Sequence, residues 1–141
     1  MKKVFIFFII TVIIIGGILF QYNSYKRAKN NIASENSEFE QYINNDIYGI
    51  DLATIINKSI DKNEKNKIQK DNQGFFIEND ENSIEVEIYI KENETTYKME
   101  QIYKQGTEQF VQFFINEKFK CSKAEYHKKT GKIKYMLFEQ I

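Results

Sequence analysis

The chain has 141 residues, and 20 Lys and Arg stand against 20 Asp and Glu, so its formal net charge is zero. That balance argues against nucleic acid as a partner, and Cys121 as the single cysteine excludes an intramolecular disulfide framework and a cysteine-based zinc site. Pro and Trp are absent while Ile, Lys and Asn are abundant, a bias that reflects an AT-rich bacterial genome rather than a function.

The first element is the run Val4 to Phe20, VFIFFIITVIIIGGILF, which carries no charge and only one hydroxyl, Thr11. As a helix it spans roughly 25 Å, the low end of what crosses a bilayer core. Bulky residues end it (Ile18-Leu19-Phe20-Gln21-Tyr22) where a cleaved signal would carry small ones, so an uncleaved anchor over residues 1–22 is expected. Lys2 and Lys3 precede the run and Lys26, Arg27 and Lys29 follow it, a count that slightly favours a cytoplasmic body. The order of short basic start, apolar run and long polar body favours export, and long domains translocate largely regardless of charge. The expectation is therefore a single-pass protein of the cell membrane with an extracytoplasmic head.

Residues 23–48 read as an amphipathic stalk helix continuing the anchor. Tyr25, Ile32, Phe39 and Ile43 fall on one narrow stripe and form its packing face. Residues 49–141 form the head. Gly49 supplies the permissive backbone that ends the stalk, and Asp51 caps a second helix whose apolar positions are Leu52, Ile55, Ile56 and Ile60. From Gly74 the period changes to two: Phe75-Phe76-Ile77 is a short strand, 78–82 a turn, and Ile84, Val86, Ile88 and Ile90 alternate along a second strand. Met99, Ile102 and Tyr103 begin a helix that breaks at Gly106-Thr107 and resumes through Phe110, Val111, Phe113 and Phe114, aromatics numerous enough to make most of the core. Two strands follow, 119–127 and 132–138, joined by a turn in which Gly131 takes the left-handed position. A slip in alternation predicts a bulge near Ser122 and Lys123.

The order helix, helix, hairpin, helix, hairpin gives an α+β class with an antiparallel four-stranded sheet and packed helices. The first hairpin is acidic and the second basic, so the two are predicted to share one sheet.

Chemistry-bearing patterns are few. Glu78-x-Asp80-x-Asn82 begins like a calcium loop but places Ser83 where an EF-hand needs Gly and Tyr89 where it needs Glu. Cys121 and His127 are separated by roughly 20 Å of extended chain, too far for a nucleophile pair. No phosphate loop, nucleophile elbow or zinc helix appears, so neither an enzyme nor a cofactor is implied. Lys128, Lys129, Lys132 and Lys134 on the second hairpin form the candidate interaction surface, with edge lysines that block strand pairing as the plainer reading.

An apolar N-terminal helix that runs into an amphipathic stalk and a small α+β head resembles pilins and pseudopilins. The stretch from Ile47 to Ile56, IYGIDLATII, also resembles a Gly-x-Asp-apolar segment of small anchored proteins of low-GC bacteria. Lys3-Val4 stands where pilins carry a Gly-apolar peptidase site, and the first glutamate is Glu35, so the resemblance implies a non-processed, pilin-like or secretion-type component. The leading expectation is a structural or interaction protein whose partners are the membrane, other membrane or envelope proteins, or further copies of itself. The alternative is a membrane-tethered binding module that recognises a small ligand or anionic polymer through the basic C-terminal hairpin.

Overall fold

A computed structural model describes the backbone from Lys2 to Ile141 and side chains from Val4 onward. The basic start, Met1 with the Lys2 and Lys3 side chains, lies outside the described residues. The chain divides into two compact units, one up to Ser34 and one from Glu35 to Ile141.

The first unit is helical from Lys2 onward, part of α1 (Lys2–Ile43). Its apolar side chains from Val4 to Phe20 are exposed, from 42% at Ile9 to 74% at Phe20. The Thr11 hydroxyl donates to the Phe7 carbonyl at 2.9 Å, so this polar group is satisfied within the helix itself. Helix α1 is long and apolar enough to cross a membrane.

The second unit has the order end of α1, β1 (Ile47–Tyr48), α2 (Gly49–Lys65), β2 (Glu85–Ile90), β3 (Thr95–Lys98), α3 (Met99–Gln105), α4 (Thr107–Phe114), β4 (Lys118–Tyr126) and β5 (Ile133–Gln140). The class is α+β, but the sheet departs from expectation: it has five strands in the order β1-β4-β5-β2-β3 and is mixed. β2 and β5 pair in parallel, with Val86 opposite Met136 and Ile88 opposite Phe138, while the other neighbours are antiparallel. The partner that β2 takes on its other side is Thr95–Lys98, not Phe75–Ile77. That earlier stretch makes only an isolated bridge between Lys70 and Phe76. The cause is local: the Asp71 carboxylate accepts from the Gln73 and Phe75 N–H groups, at 2.9 Å each, and holds 71–75 as a turn.

Other expectations match. β4 slips register between Cys121 and Lys123, Gly131 has φ 72°, and Gly106, with φ 100°, separates α3 from α4. The acidic strand β2 lies beside β5 of the basic hairpin, so those two strands share one sheet, but the first hairpin does not form as predicted because Phe75–Ile77 stays outside the sheet.

The core takes Val86, Ile88 and Ile90 from β2, Phe119 from β4, and Met136 and Phe138 from β5. Against them pack Leu52, Ile55 and Ile56 of α2 and Met99 of α3. Each such side chain contributes about 1.5–3 kcal/mol by leaving water. Phe39, 1% exposed, belongs to this core, and Ile43 packs against it, so the end of α1 is part of the domain; Ile32 is half-buried and Tyr25 is 67% exposed. Of the α4 aromatics, Phe110 is buried and stacks with Phe114 at 4.9 Å between centroids, but Phe113 is 79% exposed and does not serve the core.

Gly49 does not act through a permissive backbone conformation. A Cβ built on it would stand 2.2 Å from the Phe114 carbonyl oxygen, so the glycine is what lets α2 begin against the end of α4. Asp51 caps α2 from the third helical position, accepting the Tyr48 N–H at 3.0 Å. Thr107 caps nothing; its hydroxyl pairs with Asn57.

Candidate functional site

The four lysines of the predicted surface lie on one turn and the strand that follows it, and three of them are already matched. Lys134 meets Glu78 at 2.7 Å, Lys132 meets Glu35 at 2.9 Å, and Lys129 is ion-paired with Glu81. The Glu81 hydrogen bond and charge hold the Lys129 ammonium above its usual pKa, and Lys129 in turn lowers the Glu81 carboxyl. Glu78 similarly raises Lys134. Lys128 is exposed and makes no ion pair with any described residue. A polyanion would have to displace three glutamates to use this surface, so the turn is a neutralised contact between the β4–β5 hairpin and the segment 78–83.

That segment is not built as a calcium loop. The Asn79 carboxamide oxygen accepts from the Glu81, Asn82 and Ser83 N–H groups at 2.9–3.1 Å and so organises the turn from within. Among the described residues, no group of three or more His, Cys, Asp or Glu is arranged to hold a metal ion.

The residues that sequence reasoning missed are buried side chains that pair with backbone. Asn63, fully buried on α2, donates to the Ile84 carbonyl at 2.7 Å and accepts the Ile84 N–H at 2.8 Å, a two-point match that imitates a strand. Asn36 on α1 does the same at the start of β5, donating to the Gly131 carbonyl at 2.9 Å and accepting the Ile133 N–H at 3.0 Å. His127, 3% exposed, donates its Nε2–H to the Ser83 carbonyl at 2.7 Å, as a carbonyl can only accept. These side chains bind the helices and the hairpin turn to the sheet; His127 and the half-buried Cys121 do not meet in any hydrogen bond. The Cys121 thiol is pushed up in pKa by burial, and its Sγ approaches the Lys123 carbonyl at 3.3 Å within the bulge. A legible signal existed for the two asparagines: each occupies an apolar-stripe position, Asn36 between Ile32 and Phe39, and Asn63 after Ile56 and Ile60.

Two concave surfaces lie on either side of α3. One is a largely apolar groove of about 150 Å³ lined by Tyr97, Ile102, Gly106, Phe110, Phe113 and Phe114 among others. The other is an open cleft of about 870 Å³ between α3 and the loop after α2, with Phe75 and Tyr103 on its walls.

No protein-family model, characterised protein or solved structure matches this chain.

Proposed function

We propose that this chain is a single-pass membrane-anchored structural or interaction protein of a bacterial envelope assembly, a non-processed component with a pilin-like or secretion-type layout. The observation that carries the reading is the α1 segment from Val4 to Phe20, whose apolar side chains all face outward in a helix that satisfies its one hydroxyl internally. Such a surface is costly in water and favourable in hydrocarbon. Tyr22 and Tyr25, 61% and 67% exposed, suit the headgroup level at the end of the span. Beyond it the chain carries a closed domain with its own core, which suits a head presented to partners. The alternative, a binding module acting through the basic hairpin, is disfavoured by the three glutamates that already occupy its lysines.

The test is topology together with association. A cysteine placed at exposed Asn72 in a Cys121→Ser background reports the side of the head through a membrane-impermeant maleimide applied to intact cells, with lysed cells as the labelling control. Labelling of intact cells and recovery of cross-linked partners or higher species from gently solubilised membranes are expected. Recovery in the soluble fraction, or labelling only after lysis, would overturn the envelope reading, and a strictly monomeric species after cross-linking would overturn the assembly role.

A further inference from the structure

The open cleft beside α3 has a volume of about 870 Å³, within the range of small-ligand sites. Its loop wall is fixed before any ligand arrives. The Asp71 carboxylate holds the turn, and the Phe76 N–H donates to Glu100 Oε1 at 3.1 Å, tying that wall to α3. Lys70 is likewise held, 3.2 Å from Glu64 and over the Phe76 ring at 4.5 Å. A preformed wall reduces the ordering cost that binding would otherwise carry.

Five of the residues that line this framework have side chains with no hydrogen bond or ion pair to any described residue, Gln73, Phe75, Tyr103, Lys104 and Gln105; Lys98 Nζ lies 5.8 Å from the Phe75 ring centroid, and Gln105 also edges the groove on the other side of α3. Their chemistry is specific in combination. Two aromatic faces can stack against the C–H face of a sugar ring. Two carboxamides and a phenol offer both donors and acceptors, which is what hydroxyl groups require. A single uncommitted ammonium, Lys104, adds a charge-assisted contact for one carboxylate. The basic hairpin, by contrast, has rings and lysines, but Lys129, Lys132 and Lys134 are already paired with Glu81, Glu35 and Glu78.

We propose that this cleft binds a saccharide bearing a carboxylate, with Phe75 and Tyr103 as the stacking rings, Gln73 and Gln105 on the hydroxyls and Lys104 on the acid. The site belongs to the Glu35–Ile141 unit alone and does not rest on the membrane reading.

Trigalacturonate titrated into the full chain in detergent micelles, followed by calorimetry and by amide NMR shifts at Phe75 and Tyr103, tests this directly. Triglutamate is the comparison, with like charge and no sugar ring. Saturable binding of trigalacturonate is expected, at least about tenfold tighter than triglutamate. Tyr103→Ala, at a position 47% exposed, and Phe75→Ala on the opposite wall should each weaken it about tenfold while leaving the circular dichroism unchanged. Lys104→Gln should lower affinity and remove most of its salt dependence. Failure of trigalacturonate to saturate up to about 10 mM, equal affinity for triglutamate, or undiminished binding by the folded ring variants would overturn the assignment.

Discussion

Asn63→Ala is the most informative single change in the domain. The side chain is 0% exposed and its amide answers both the N–H and the C=O of Ile84, at 2.8 and 2.7 Å. Truncation leaves those two backbone groups without partners in a place water does not reach. A buried unsatisfied group costs about 1–3 kcal/mol, so the pair amounts to about 2–6 kcal/mol. For a domain of this size each kcal/mol lowers the melting temperature by roughly 4–8 °C, so a fall of at least about 8 °C is expected. Thermal and urea unfolding of the full chain in micelles, followed by circular dichroism, would measure it, and hydrogen exchange at the Ile84 amide would localise it. Asn63→Asp sharpens the argument. An ionised carboxylate still accepts the N–H but faces the Ile84 carbonyl with no proton, so this variant should be destabilised at neutral pH and should recover towards acid as it protonates. A fall of less than about 3 °C for Asn63→Ala, with unchanged exchange at Ile84, would refute the view that this amide holds α2 to the start of β2.

Gly49→Ala should destabilise the head by about 1–3 kcal/mol or more, because the new methyl meets the Phe114 backbone rather than a side chain that can rotate away; urea unfolding reads the shift. At alkaline pH, Tyr135 should ionise well above the ordinary tyrosine value, since burial and its 2.7 Å hydrogen bond to Glu87 hold the phenol far above the usual 10.0. Its contribution to stability is complete below that value and is lost as pH rises towards the folded pKa, a dependence that Tyr135→Phe should abolish in a near-ultraviolet titration. At the acid end, Glu81 is lowered by the Lys129 hydrogen bond and charge, so what it contributes is present above 4.5 and disappears as pH falls through its folded pKa. Carboxyl NMR should show that lowering vanish in Lys129→Gln.

Much of the secondary structure was legible because its signals are local. The alternation from Ile84 to Ile90, the slip at Ser122 and Lys123, and the glycines at 106 and 131 each act within a few residues, and each appears where the pattern put it. Pairing was less legible, because strand partners are chosen by the whole sheet. Thr95–Lys98 lies in a polar stretch with little alternation, yet it becomes the neighbour of β2 through a turn of four residues, while Phe75–Ile77, apolar and well placed, is drawn into the Asp71 turn. The parallel match of β2 with β5 leaves no local trace at all, since both strands also read correctly as antiparallel. For the candidate surface, charge alone put the acidic stretch with Glu78 and Glu81 against the basic hairpin, but not Glu35, which comes from α1. The clamping asparagines were hidden by abundance: Asn is common throughout this chain, and only the stripe position distinguishes Asn36 and Asn63.

The place of β5 in the sheet bears on how the molecule is made. β1 and β4 form one ribbon, β2 and β3 another, and within the sheet only β5 joins them. That strand is also the fifth to leave the ribosome. Until Ile133–Gln140 has been synthesised, the growing chain holds two half-sheets whose apolar faces cannot be closed, and its contacts of greatest sequence separation form last. Maturation of the head is therefore a late event, during which β2, with Val86, Ile88 and Ile90 along one face and a bare edge, is open to chaperones or to a second chain in the same state. Shortening the chain within β5 should leave not a smaller head but two unjoined ribbons, prone to aggregate.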